Sequence, residues 1–506
     1  MNTRNIWMGN TPLNHPSHQV EGGFITIDGE EFYQIKNFDL MPDFFMTIVS
    51  DVDHWMFLSS NGSLSAGRKD RDNALFPYYT DDKIHDYCGI TGSKTLVQVH
   101  KDDRTYLWEP FSKALKGFYS IERRICKSVY ANKIIFQETN HDLGLTFEYG
   151  WYNSDRFGFV KKSKIINHNE DQTSVTVLDG MSNILPNGSY YDFQNEYSNL
   201  LDGYKKTEQI AETGLALYLL SAIPVDRAEP SESLSANIVW ATGLGEHKIL
   251  LSDKQLDAFR HGADVATEFD VKGTRGAFYV VTDLALAANA QESWMTVAEL
   301  NLTSTFVANM NNFLLENRET LIEQVNTDIA AGTAHLKAII ASADGLQATS
   351  QDLIVARHFS NTLYNVMRGG IYLDQYQVEK DDFVAYLNTT NTQIAAQVTD
   401  ILATLPAQFT KEVLVQKAVA LGNATFLRIC YEYLPLTFSR RHGDPSRPWN
   451  LFNIVIKNED GTAISDYQGN WRDIFQNWEA LSLSFPNYID DIICKFVNAT
   501  TADGYN

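Results

Sequence analysis

The sequence predicts a two-part β + α chain: a large antiparallel β-sandwich, then a linker helix, then an all-helical region. Three observations carry this. From Glu21 to about Leu302, short β-rich runs recur between turn residues. Near Asn311 the hydrophobic period changes from about two to about 3.6 residues. No low-complexity spacer separates the two patterns, so the parts are expected to pack together.

The first strand is Gly23–Ile27, ending at the turn Asp28-Gly29. Lys133–Glu138, Leu145–Tyr149, Ser174–Leu178, Leu215–Leu220 and Gly276–Thr282 follow in the same style. Roughly 280 residues of this pattern exceed one immunoglobulin-sized unit, so a multi-layered sandwich is expected. Leu314, Leu321, Val325, Ile329, Leu336 and Ile340 then fall on one stripe, with Asp344-Gly345 as a stop, which predicts one long amphipathic helix. Further helices are predicted from Leu353 to Val366, Ile394 to Leu405, Val413 to Tyr433, Ile474 to Leu483 and Ile489 to Val497. The long stretch from Pro435 to Trp471 holds a hairpin, Asn453 to Ile464, turning at Glu459-Asp460-Gly461. Loops of that length inside a domain commonly carry function. The resulting domains are 1–305 (β-sandwich), 306–350 (helical linker) and 351–506 (helical).

Charge narrows the partners. In 506 residues, 41 Lys+Arg face 63 Asp+Glu for a net charge of −22, a field that repels nucleic acid and anionic lipid surfaces. The N-terminus lacks signal-peptide character and no stretch reaches transmembrane length, which gives a cytoplasmic expectation. Cys88, Cys126, Cys430 and Cys494 have neither metal-ligand spacing nor a disulfide framework and read as buried thiols, so no metal is expected. Aromatic residues make up 12%, enough both to fill cores and to supply faces for sugar rings.

Three polar clusters could carry chemistry. The first joins Asn61, Arg68, Asp70, Arg71, Asp72 and Asn73 to Tyr78 and Tyr79; planar carboxylates, amides and guanidinium groups grip vicinal hydroxyls in pairs. Its alternative is an inter-strand loop held by its own Arg–Asp pairs. The second is Arg440, Arg441, His442 and Arg447, stiffened by Pro445 and Pro448. It reads as an anion or hydroxyl clamp beside Trp449, or as arginines tying a loop to acidic helix ends. In the third, Trp471, Arg472, Asp473 and Gln476 gather at a helix start, where Asp473 and Gln476 also fit a capping box. Dinucleotide, nucleophile-elbow, zinc-protease and phosphate-loop motifs are absent from the sequence.

Sandwich, linker helix and helical region, in that order, resemble the inverting glycoside phosphorylases of the cellobiose, chitobiose and laminari-oligosaccharide type. Gly469-Asn470-Trp471-Arg472-Asp473-Ile474-Phe475-Gln476-Asn477 is similar to that family's G-aromatic-R-D-x-x-Q-D motif, which lines a sugar subsite. It departs by an extra Asn470 and by Asn477 in place of an aspartate. Those departures weaken a cellobiose assignment and favour a divergent branch, with β-1,3-glucan oligosaccharides among its candidate substrates. The resemblance implies that the helical region begins an (α/α)6-type barrel, incomplete within this chain. It implies glucosyl transfer between a β-linked oligosaccharide and phosphate, with inorganic phosphate as co-substrate, no cofactor, and a homodimer left open.

Under that resemblance the substrate-binding residues are Arg472, Asp473, Gln476, Trp471, Arg441, His442, Arg447 and Trp449, with Arg68, Asp70, Asp72 and Asn73 as secondary candidates. A general acid is not evident. The chain is therefore expected to be the N-terminal portion of a longer enzyme, inactive alone, or else a shortened relative. An inverting hydrolase and a non-catalytic glycan-binding protein are the competing functions.

Overall fold

Alternation of large apolar and smaller or polar residues along the central strands explains the layering. In the strand Leu145–Ser154, Leu145, Phe147, Tyr149 and Trp151 point into one core, while Glu148, Gly150 and Tyr152 face the opposite side. The computed structural model describes the chain apart from residues 1–5, 15–18, 197, 225–227, 229–231, 440–451, 459, 468–473 and 506. It divides into two compact units, the first containing Met1–His335 and the second built from Leu336–His442 and Phe452–Asn506.

In the first unit an eleven-stranded antiparallel sheet runs in the order Asp270–Lys272, Lys205–Ile210, Leu215–Leu220, Ser235–Thr242, Gln291–Thr303, Gly158–Asn167, Leu145–Ser154, Ile134–Asn140, Ile121–Ser128, Glu30–Lys36, Glu21–Ile27. A five-stranded sheet follows the order Arg104–Trp108, Gly92–Lys101, Thr173–Ile184, Gly276–Leu286, Lys248–Leu250. Phe147, Phe159 and Trp294 of the larger sheet share one core with Val97, Val177 and Phe278 of the smaller, which makes this a sandwich. Met56 and Leu58, from a four-stranded sheet formed by residues 45–76, join the same core.

The outer face of the large sheet is apolar too: Val160, Ile238, Trp240 and Val297 pack against Met310, Leu314, Val325 and Ile329 of the helices that follow. The strand Gln291–Thr303 turns directly into the helix Ser304–Glu316, whose N-cap is the Thr303 hydroxyl accepting from the Phe306 amide. The single long helix predicted here is two, Ser304–Glu316 and Leu321–Ser342. Asn317 and Thr320 break it by bonding locally, Asn317 Nδ2 to Phe313 O at 2.9 Å and Thr320 N to Asn317 O at 2.9 Å.

In the second unit the helix Asp352–Gly369 pairs with Ile474–Ser484. The segment between them leaves and returns at one place. Ile371 and Tyr372 pair with Thr437 and Leu436, and Leu373 N donates to Pro435 O at 2.9 Å. Between those ends, five helices from Lys380 to Glu432 enclose a core of their own, drawn from Val378, Phe383, Leu387, Leu414, Phe426 and others up to Tyr433. These helices form a side excursion from the pair Asp352–Gly369 and Ile474–Ser484. The predicted helix Val413 to Tyr433 is also two, because Gly422 ends the first in a left-handed conformation and Asn423 Oδ1 caps the second. The predicted hairpin near residue 460 has its turn: Asn458 N donates to Thr462 O and Ile464 N to Ile456 O.

Cys126 and Cys430 are buried, as expected, whereas Cys88 and Cys494 are half-exposed; all four are free thiols. Among the described residues no helix is long and apolar enough to cross a membrane.

Candidate functional site

Trp471, Arg472, Asp473, Arg441, His442, Arg447 and Trp449 lie outside the described residues. Gln476 stands exposed in the first turn of the helix Ile474–Ser484, while the next two residues are buried. Asn477 packs so closely on Gly369 that a Cβ there would lie 2.9 Å from its own Cβ. Trp478 donates its indole N–H to Gly369 O at 2.9 Å. The segment that resembles the sugar-subsite motif thus leads into a helix fixed against the end of Asp352–Gly369.

The secondary candidates are described, and they separate into two roles. Arg68 is engaged by protein acceptors. Its guanidinium meets Glu299 through Nε and Nη2 at 2.9 and 2.6 Å, Asp53 through Nη1 at 2.7 Å, and Asp155 O at 2.9 Å. Burial works against this charge, but Glu299 and Asp53 outweigh it and hold Arg68 above its ordinary pKa. Burial also raises the Glu299 carboxyl, against the pull of Arg68. Every strong donor direction of Arg68 is taken, so it cross-links the strand Leu64–Arg68 to the strand Gln291–Thr303.

Asp70, Asp72 and Asn73 shape a loop. Asp70 Oδ1 accepts from the amides of Asp72 and Asn73 and from Asn73 Nδ2, at 2.9, 3.0 and 2.7 Å. Asn73 Oδ1 in turn accepts from Asn301 Nδ2. Asp72 Oδ1 accepts from the Tyr191 amide at 2.8 Å. The loop is therefore held by amides and asparagines, not by its own Arg–Asp pairs. What it positions is Arg71, whose guanidinium lies 4.1 Å above the Tyr191 ring.

Arg71 and Tyr191 border a cavity of about 220 Å³ that also takes in Tyr79, Asn183, Ser189 and Arg275. Tyr79 stacks on Tyr87 at 3.7 Å between ring centroids. Burial pushes the Tyr79 phenol above its usual pKa, so it is a neutral donor and acceptor at neutral pH. Asn183 sits where the strand Thr173–Ile184 slips register between Ser182 and Ile184, with φ of 61°. Such bulges re-aim a side chain out of the pleat, and Asn183 Nδ2 reaches Thr91 Oγ1 at 2.8 Å. Tyr78 and Tyr79 were within the sequence cluster; Asn183, Ser189, Gln194, Lys205 and Arg275 were not. They come from four separate stretches of chain, and only sheet pairing assembles them. Among the described residues no group of three or more His, Cys, Asp or Glu side chains is placed to hold a metal.

Comparison with known proteins gives three kinds of result. No curated protein matches the chain in sequence. Among solved structures, a protein titled "Putative kojibiose phosphorylase from human microbiome" aligns with 88% of this chain and 49% of its own at 8% identity and a TM-score of 0.32. A galactose mutarotase-like protein from Lactobacillus casei aligns with 51% of this chain and 100% of its own, at 12% identity and a TM-score of 0.26. A family GH92 α-mannosidase from Bacteroides thetaiotaomicron aligns with 69% of this chain and 40% of its own, at 9% identity and a TM-score of 0.30. The chain spans about half the length of the first of these, and at such scores neither a reaction nor a substrate transfers. Residues 372–435 match the family model described as glycoside hydrolase family 149 insertion domain 1, and this segment is the excursion that starts and ends at the Tyr372–Leu436 pair.

Proposed function

We propose that the protein serves in glucosyl transfer between a β-linked oligosaccharide and inorganic phosphate, with inversion at the anomeric carbon. What supports this reading is the match of residues 372–435 to an insertion domain of a glycoside hydrolase family, on a segment that the chain folds as an insertion. The sequence motif from Gly469 to Asn477 supplies the sugar contacts in this reading. Asp473 accepts two hydroxyl hydrogen bonds, Arg472 donates to a ring or hydroxyl oxygen, and Trp471 and Gln476 complete the subsite. Arg441, His442 and Arg447, beside Trp449, form the clamp for phosphate. Phosphate arrives already anionic, so one carboxylic acid suffices to protonate the leaving oxygen, whereas an inverting hydrolase needs a second carboxylate to activate water.

The test is Asp473→Asn, followed by affinity for laminari- and cello-oligosaccharides and by thermal midpoint. Each charge-assisted bond to a sugar is worth about 1.5–3 kcal/mol, so binding should weaken about ten- to a hundredfold with the midpoint unchanged. A residue that only caps the following helix would tolerate the change, since asparagine caps about as well as aspartate; unchanged binding would therefore end the subsite assignment. Release of glucose 1-phosphate from this chain is expected to be slow, since no general acid is evident in its sequence and a positioned one contributes roughly 10²–10⁴-fold. Release of free glucose without phosphate would replace phosphorolysis with hydrolysis.

A further inference from the structure

The cavity between Arg71, Tyr191 and Arg275 has a character that the chain as a whole lacks. In a protein of net charge −22, three cations line it, Arg71, Lys205 and Arg275, against one carboxylate, Asp202. That carboxylate is engaged by Lys205 at 2.7 Å. Arg71 sits over the Tyr191 ring, and its carboxylate partner, Asp192, is 3.8 Å away with its side chain 70% exposed, a weak partner in water. Arg275 is exposed and makes no ion pair among the described residues.

Two neutral donors at the same cavity are left unused. Ser189 is 4% exposed and its hydroxyl has no hydrogen-bond partner among the described residues, and the buried Gln194 Nε2 has none among them either. Buried polar groups are nearly always paired, so two orphans lining one cavity are where a ligand's acceptors belong. The stacked Tyr79 and Tyr87 add flat aromatic surface, and the left-handed Asn183 beside them marks backbone held in an uncommon conformation. A volume of about 220 Å³ falls below the range of drug-sized ligands, about 300–1,000 Å³, and suits a single ring.

We infer that this cavity binds one monosaccharide carrying a phosphate group, with Arg71 and Arg275 on the phosphate and Ser189 and Gln194 on hydroxyls. Arginine forks match phosphate oxygens in geometry, and the neutral donors and aromatic wall match a pyranose. The inference stands apart from the subsite proposed around Asp473, since it uses none of those residues.

Calorimetry on the full chain tests it, with α-D-glucose 1-phosphate, glucose 6-phosphate, inorganic phosphate and glucose as the probes. At least one of the sugar phosphates should bind about tenfold or more tightly than either glucose or inorganic phosphate, and added salt should weaken it. Arg275→Ala, at an exposed residue with no ion pair to lose, should cut that affinity about tenfold with the thermal midpoint unchanged, and Arg71→Gln should do likewise. In the Asp473→Asn background, where any sugar phosphate held at that other subsite is weakened, the losses caused by Arg275→Ala and Arg71→Gln should persist. Binding of inorganic phosphate or of glucose as tight as that of the sugar phosphates would overturn the inference, as would no binding at all. If Asp473→Asn abolished sugar-phosphate binding while Arg275→Ala and Arg71→Gln did not, the ligand would sit in the other subsite; this inference would fall and the proposed function would stand.

Discussion

Lys161 with Asp179 in the first unit, and Lys411 with Asp491 in the second, are both lysine–aspartate pairs removed from water, at 2.6 and 2.9 Å. They are finished differently. Asp179 accepts from Lys161 Nζ and Thr95 Oγ1 on one oxygen and from Trp294 Nε1 on the other, at 2.6, 2.6 and 2.8 Å, and Lys161 also donates to Gly180 O. Thr95 and Asp179 belong to the five-stranded sheet, Lys161 and Trp294 to the eleven-stranded one, so the pair fastens the two layers of the sandwich. Lys411 instead spends two donors on the carbonyls of Cys430 and Tyr433, closing the end of the insertion's last helix, and reaches Asp491 in the helix Ile489–Ala499. Burial raises the Asp491 carboxyl and lowers the Lys411 ammonium, each partly offset by the other. The contrast teaches that a buried pair fixes register only as firmly as its remaining lone pairs are filled.

Breaking the first pair should have the largest effect. Asp179→Ala strands a fully buried Lys161 and orphans the Thr95 hydroxyl and Trp294 indole, for an expected loss of about 3–5 kcal/mol in denaturant unfolding of the first unit. A loss under about 1 kcal/mol would mean that water or repacking replaces the network.

Asp491→Asn should cost less, about 3 kcal/mol or below, because Lys411 keeps both carbonyls and asparagine still offers an oxygen. It should also change the pH profile. With its folded pKa raised, Asp491 contributes stability that is complete below the unfolded value near 3.8 and is lost as pH rises through the folded value. The variant should therefore lack that decline in mildly acid buffer, and an identical profile would show that the pair does not titrate there.

The smallest effect sharpens the comparison from a lysine that donates to an amide. Lys162 gives its hydrogen bond to Asn326 Oδ1 at 2.5 Å, and burial lowers its pKa to about 8. A lowered lysine penalises the fold fully below that value, and the penalty lifts as pH rises from about 8 towards the ordinary 10.5. Unfolding midpoints at pH 7 and pH 9.5 should show a rise in the parent relative to Lys162→Met. Equal differences at both pH values would mean the amine is solvated.

Local pattern made the strand-rich part legible. Leu215–Leu220 is a strand as predicted, and Gly276–Thr282 extends only to Leu286, because alternation along a strand reports a buried face directly. Helix ends were less visible. The 3.6-residue stripe runs straight through Asn317–Thr320 and Gly422-Asn423, where side-chain capping and a left-handed glycine stop the helix without disturbing the stripe. That residues 372–435 form an excursion could not be read from the stripe either, since it depends on Tyr372 meeting Leu436 across 64 positions.

The same division holds for the polar clusters. Sequence by itself determined that Arg68, Asp70, Arg71, Asp72 and Asn73 would gather in one loop, and that the chain would be acidic enough for a cationic cavity to stand out. Tertiary structure decided their roles. Arg68 found Glu299, 231 residues away, and became a cross-link. Arg71 met Tyr191 and became one wall of a cavity that Ser189 and Arg275 also line. The physical reason is range: turns and periodicity are set by neighbours along the chain, whereas a guanidinium's partners are set by which strands the sheet brings beside it, and sequence spacing carries no trace of that.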